Sequence, residues 1–234
     1  SENVSARAIK EAPDGTIWVA TYGAGLLQLD VSGSPKIIQR IDFKSGLPSD
    51  RVRSLFIDNQ GTIWAGVSNI VVRIINNEIE VLKWNTEKTE IRTIYQHING
   101  DIWAGTRQGV AYFNGDSFEE LILDVDLSNQ TINTIIRDTN NHIWLGSRDF
   151  GVYELDENLQ LISHLDMSNG LPDNSVNIIF QDQEANFWFG TYGGGIARLS
   201  TSKVLNWKSQ PGMTNPNVYA IANDHQNCTW IGTN

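Results

Sequence analysis

Residues 182–199 read DQEANFWFGTYGGGIARL, and the order of residue types in this stretch organises the whole 234-residue chain. An acidic turn leads into an aromatic and aliphatic run, a glycine and a threonine, a glycine cluster and a second apolar run. The same order returns as DNQGTIWAGV from Asp58 and DTNNHIWLGS from Asp138. It returns with more change as PDGTIWVATYGAGLLQL from Pro13, HINGDIWAGTRQGVAYF from His97 and DHQNCTWIGT from Asp224. The tryptophans that anchor it, Trp18, Trp64, Trp103, Trp144, Trp188 and Trp230, lie 46, 39, 41, 44 and 42 residues apart.

A period of about 40–45 residues is that of the four-stranded blades of β-propellers. Each repeat offers four short apolar runs bounded by Asn, Asp, Gly or Ser and rich in β-branched and aromatic residues. In the second repeat these runs are 52–57, 62–66, 70–74 and 78–84. No window of helical length holds a 3.6-residue period. The expectation is one all-β domain over 1–234, a β-propeller of four-stranded antiparallel blades with five full repeats and half of a sixth. The approximate repeat bounds are 3–46, 47–88, 89–128, 129–170, 171–213 and 214–234. With only two strands in the sixth repeat and no spare outer strand at the start, the chain reads as a piece of a longer one.

The turn between the first two strands of a repeat has its own chemistry. Asp58, Asp138, Asp182 and Asp224 are placed to cap it through a side-chain oxygen, with Gly15, Gly61, Gly100, Asn141 and Asn227 supplying residues that tolerate positive φ. Ala185 and His97 depart from this pattern. The Trp that follows is expected to wedge between neighbouring blades. The small residue after it (Ala20, Gly66, Gly105, Gly146, Gly190, Gly232) implies close approach by another backbone or by the next blade's aromatic ring.

Linkers between second and third strands vary, and variable loops on a constant scaffold are where specificity resides. In an antiparallel blade these loops emerge on the same face as the connections from one blade to the next, such as SGLPSDRV (45–52), NGLPDNSV (169–176) and PGMTNPNV (211–218). Tyr22, Asn69, Arg107, Arg148, Asp149, Tyr192 and Asn174 are therefore the candidate ligand-binding residues, sharing that face with Asp50, Arg51, Asp173 and Asn217. Tyrosine faces stack on sugar rings, and arginine forks pair with carboxylates. A second set, Arg7, Arg53, Arg92, Asn133, Asn177 and Tyr219, occupies one equivalent position in the first strands, which line a propeller's central channel. Solvation of a water-filled tunnel and ligand contact are both open for this column.

The formal net charge of −10 argues against nucleic acid as a partner. The single cysteine, Cys228, precludes an internal disulfide and is expected to act as a small buried hydrophobe. No apolar run is long enough to span a membrane. His97, His142 and His225 fall at or near first-to-second-strand turns and His164 in a fourth strand, so no catalytic residue, metal set or cofactor is assigned. Asp50, Asp149 and Asp173 reach the loop face and keep a paired-carboxylate glycosidase open.

Taken together, the repeats and the NGLPDNSV-type connection resemble the regulator-propeller repeats of bacterial two-component sensors. The resemblance implies part of a larger array of about seven-bladed propellers, lying in the periplasm ahead of a transmembrane helix and a histidine kinase. It implies a non-enzymatic domain that senses a small-molecule or oligosaccharide ligand and signals through further blades, signalling domains and a homodimer. The alternatives are a protein-interaction propeller scaffold, or a propeller-fold glycosidase or lyase.

Overall fold

The computed structural model describes residues 4–58, 60–84, 89–200, 203–207, 215–224, 226 and 228–233. Asn227, His225, residues 85–88 and residues 211–214 of the PGMTNPNV connection lie outside the described residues. The chain divides into two compact units, Ser1–Leu121 and Ile122–Asn234.

Three blades make the first unit. Blade 1 comprises Ser5–Glu11, Ile17–Tyr22, Leu26–Asp30 and Lys36–Ile41, and blade 2 comprises Val52–Ile57, Ile63–Val67, Ile70–Ile75 and Glu78–Val81. Blade 3 comprises Ile91–Gln96, Ile102–Thr106, Val110–Phe113 and Ser117–Glu120. In the second unit, blade 4 has Ile132–Arg137, Ile143–Ser147, Val152–Leu155 and Leu161–Leu165. Blade 5 has Val176–Gln181, Phe187–Thr191, Ile196–Ser200 and Lys203–Trp207, and Val218–Asn223 pairs with Thr229–Thr233 as a two-stranded sheet. Strands within each blade run antiparallel in sequence order, and within each unit the first strands of successive blades lie side by side. This is the expected all-β propeller arrangement, with five four-stranded blades and two further strands.

One strand departs from the sequence reading. The run 78–84 does not stay in blade 2: Glu78–Val81 is its fourth strand, and Lys83–Trp84 pairs in parallel with Ser117–Glu120 of blade 3. Leu82 turns inward and is buried between the two pieces. The Trp84 ring stacks on Phe118 with centroids 4.6 Å apart. Apolar surface on the neighbouring blade outcompetes continuation of the ladder.

Trp18, Trp64 and Trp144 wedge between blades as expected. Trp18 packs in one cluster with Leu47, Val52 and Leu55 of the next blade. Trp64 joins Ile91, Ile94 and Phe118, and Trp144 joins Val176, Ile179 and Phe187. Truncating such a ring costs about 3–5 kcal/mol. Trp230 is the exception, at 64% exposed.

An interaction the sequence did not reveal fixes these rings. In each of the four Asp repeats, one carboxylate oxygen accepts two backbone N–H groups of the turn while the other accepts the indole N–H six residues on. The indole bonds are Trp64 to Asp58 at 3.2 Å, Trp144 to Asp138 at 3.0 Å, Trp188 to Asp182 at 2.8 Å and Trp230 to Asp224 at 2.9 Å. In blade 3 His97 replaces the carboxylate and instead stacks on Trp103, with ring centroids 4.6 Å apart. Cys228 corrects the expectation of burial. It is exposed, and its N–H donates to Asp224 Oδ1, so it belongs to the clasped turn rather than to a core.

Ala185 takes the positive φ that the turn requires, 62°, despite its Cβ. An L-residue in this region carries a penalty of about 1–2 kcal/mol that glycine avoids. Ala185→Gly is therefore expected to stabilise the chain by about 1 kcal/mol. Paired thermal melts of the two proteins check this, and a lower melting temperature for the glycine variant would contradict it.

Candidate functional site

Every pairing of a first strand with its second strand contains a register shift, and it falls at one position. The shifts lie between Ala6 and Ala8, Val52 and Ser54, Ile91 and Thr93, Ile132 and Thr134, Val176 and Ile178, and Val218 and Ala220. The residues left between are Arg7, Arg53, Arg92, Asn133, Asn177 and Tyr219, the column singled out by repeat register. A bulge removes its residue from the ladder and re-aims the side chain.

In the second unit these side chains tie one blade to the next. Asn133 Nδ2 donates to the Val176 carbonyl at 2.9 Å, and Asn177 Nδ2 donates to the Val218 carbonyl at 3.0 Å. Both amides thus bond main chain, a use that neither sequence-level alternative had named. In the first unit the same position carries arginine. Arg53 Nη1 lies 2.9 Å from Glu90 Oε1, at the entry to the next blade. Arg92 Nη1 lies 3.5 Å from Glu90 Oε2, and Arg107 brings both Nε and Nη2 to 2.7 Å from that oxygen. Burial pushes the Glu90 carboxyl up, but Arg53, Arg92 and Arg107 together outweigh it and hold it below the usual range. Burial also pulls the Arg53 guanidinium down; Glu90 opposes this, while Arg7 and Arg107 add to it.

The loop-face candidates are anchored from beneath. Buried hydroxyls close the second-to-third-strand loops: Thr21, Thr106, Ser147 and Thr191 donate to the carbonyls of Gly25, Gly109, Gly151 and Gly195. These loops are bonded to the inter-blade connections. In the first unit Gly23 N and Gly25 N donate to Asp50 O, and Ser68 N to Arg51 O. In the second unit Gly151 N donates to Asn174 O, Tyr192 N to Ser175 O and Gly195 N to Pro216 O. Within each unit, loops and connections therefore share a side.

The individual candidates differ. Tyr22 is partly exposed, and its ring is flanked by Arg7 at 5.4 Å and Arg51 at 5.1 Å, so guanidinium groups already contact it. Tyr192, Asn69, Arg148 and Asp149 are exposed. Asn174 is half-buried, and its Oδ1 accepts the Met167 N–H at 2.8 Å, which gives it a loop-fixing role. Arg107 lies in the first unit, bound to Glu90, and Arg148 lies in the second.

No metal set was assigned from sequence, yet folding gathers Asp138, His142 and Glu154, with candidate ligand atoms within 4.8 Å of one another. His142 Nδ1 lies 2.9 Å from Glu154 Oε1. Asp138 Oδ1 accepts the Asn140 and His142 backbone N–H groups, its Oδ2 accepts the indole, and Glu154 Oε2 accepts the Ser163 hydroxyl. Asp138 here serves the same clasp that recurs in the other Asp repeats. The sequence signal for this trio was absent because Glu154 comes from the next strand of the sheet.

Five four-stranded antiparallel blades, each with a tryptophan at one place and a bulge in its first strand, define a β-propeller built of sequence repeats. The family model described as "Two component regulator propeller" matches residues 46–69, 126–149, 170–193 and 212–234, segments that run from inter-blade connection through the bulged strand and the tryptophan. Four segments of the chain are thus similar to two-component regulator propeller repeats.

Histidine kinase P4 of Formosa agariphila is 27% identical over 212 residues, covering 82% of this chain and 15% of the relative. The extracellular domain of a hybrid two-component system from B. thetaiotaomicron superposes with a TM-score of 0.63 at 21% identity, over 97% of this chain and 38% of that one. Virginiamycin B lyase from Staphylococcus aureus, in a catalytically inactive form with quinupristin, superposes at 0.77 with 17% identity, over 99% of this chain and 78% of that one. At such identities the structural likeness shows the fold alone. Among the described residues, no helix is long and apolar enough to cross a membrane.

Proposed function

We propose that this chain is a ligand-sensing segment of the extracytoplasmic, periplasmic region of a two-component sensor, and that it recognises a carbohydrate-type signal and passes it to a histidine kinase in the same parent protein. The observation that carries this reading is the recurrence of the two-component regulator propeller repeat in four segments of the chain. The relation to a histidine kinase supports it. The candidate binding groups are the exposed loop residues Asn69, Arg148, Asp149 and Tyr192, with Tyr22 and Arg107 on the first unit's loops. Asn174 acts beneath the second unit's loops as a positioning residue. No residue is assigned a catalytic role.

The test joins binding to output. Calorimetry of the chain against a panel of neutral and acidic oligosaccharides is expected to identify a ligand whose affinity falls at least about fivefold in Tyr192→Ala, in line with the loss of one aromatic stacking contact. The same ligand is expected to change autophosphorylation of the parent kinase. A panel ligand consumed into products would instead identify an enzyme, and binding of a folded protein with no sugar response would identify an interaction scaffold.

A further inference from the structure

The arginine column of the first unit is not explained by blade-to-blade linkage. In the second unit the same bulge position makes that link with a neutral amide, Asn133 to Val176 and Asn177 to Val218. Arginine at Arg7, Arg53 and Arg92 adds charges that the link does not require. Arg51 and Arg107 add two more on adjoining loops, so five of the chain's ten arginines gather here in a protein of net charge −10.

Against them stands Glu90, which Arg53, Arg92 and Arg107 approach together. Among the described residues, no carboxylate lies within ion-pair distance of Arg7 or Arg51, whose guanidinium groups rest on the Tyr22 ring. Arg7 is near enough to Arg53 for the two charges to repel. Like charges held close together destabilise a fold, and clusters of this kind mark binding sites for the opposite sign. Guanidinium forks match planar carboxylate and tetrahedral sulfate oxygens better than any other side chain does.

We propose that Arg7, Arg53, Arg92 and Arg107 form an anion site for a carboxylate or sulfate group of an acidic ligand, with Glu90 holding the site as a displaceable internal carboxylate. Arg51 and Tyr22 extend it by offering charge and ring surface to the body of that ligand. The assignment deepens the sensing reading by naming the ligand's chemical class, and it rests on that reading for its biological role.

Calorimetry of the 234-residue chain tests it with four probes: trigalacturonate, a sulfated chondroitin tetrasaccharide, inorganic sulfate and neutral cellotriose. At least one acidic sugar is expected to bind, more weakly as salt rises, while cellotriose does not bind at this site. Carboxylate-only or sulfate-only binding supports the site and names the group, and equal binding of inorganic sulfate identifies a free anion as the ligand. Glu90→Gln removes the internal competitor and is expected to tighten binding about tenfold, on the order of one charge contact near a surface. Arg107→Ala, on an exposed side chain, and Arg53→Gln are each expected to weaken it about tenfold. Lys36→Ala, on the exposed fourth strand of blade 1, leaves it unchanged. No acidic probe binding, or a Glu90→Gln chain that is folded by circular dichroism and binds no tighter, overturns the proposal. Anion binding without any response from the parent kinase would defeat the sensing reading and leave the site. A kinase response to a neutral sugar alone would do the reverse.

Discussion

Replacing Gly190 by alanine is expected to lower stability by about 3 kcal/mol and the melting temperature by roughly 6–12 °C. A Cβ built there would sit 2.6 Å from Ile178 Cγ2 in the same blade and 2.6 Å from Val218 Cγ1 in the following strand pair. Both neighbours are β-branched and confined to strands, so neither has a free rotamer into which it can retreat. The equivalent glycines meet the same geometry: at Gly66 a Cβ would lie 2.7 Å from Ile91 Cγ2, and at Gly146 2.5 Å from Thr134 Cγ2. Sequence had anticipated a close approach here but allowed an aromatic ring as the neighbour; the contacts at Gly66, Gly146 and Gly190 are non-aromatic side chains of first strands. Gly15, where nothing lies within 4 Å, is the control. Alanine there meets only the cost of positive φ, about 1 kcal/mol. Equal melting shifts at Gly190 and Gly15 would show that packing between blades is not the cause.

Asp138→Ala is expected to cost about 3–4 kcal/mol, because it strands two backbone N–H groups and a buried indole N–H at once. The side chain is almost wholly buried, so water replaces it poorly. Thermal melts, together with a change in the fluorescence of Trp144, check the loss. Asp224→Ala removes the same three bonds from an exposed turn, with Trp230 in solvent, and is expected to cost under about 1 kcal/mol. The clasp at Asp182 also contributes to acid sensitivity. Burial raises the Asp182 pKa, but the Trp188 and Asn186 bonds and the turn N–H groups outweigh it and hold it below the ordinary value. A carboxylate depressed in the folded state contributes its full stabilisation above the unfolded pKa of about 3.9 and loses it as pH falls through the lower folded value. Melting temperature is therefore expected to fall on acidification below about pH 4, and less so in Asp182→Asn, which lacks the titrating group.

The blade count, the wedge role of the buried tryptophans and the turn positions were legible because each leaves a mark at a fixed offset within a repeat of 39 to 46 residues. The indole bond to aspartate was hidden despite its constant spacing of six residues. A capping aspartate and a core tryptophan each have a sufficient separate explanation, so nothing in the pattern demanded that they meet. The bulges were invisible for a different reason: alternation along so short a strand does not announce one extra residue. Repeat register alone had nevertheless grouped the six residues that occupy the bulge. The pairing of Lys83–Trp84 with the neighbouring blade depends on Phe118, 34 residues away, and no local propensity reports such a partner. Glu90 escaped notice as a first-unit site residue because it sits one place before a strand, in a connection that lacks the Gly-Leu-Pro element.

The extra residue in each first strand has an evolutionary corollary. Because the ladder does not count it, its identity is decoupled from strand registration, and a codon change there leaves the hydrogen-bonded frame intact. Guanidinium, amide and phenol already occupy that place in successive modules of one polypeptide. Such an array can retune the chemistry of this column one module at a time, so paralogues are expected to diverge first at these six addresses and last at the neighbouring glycines.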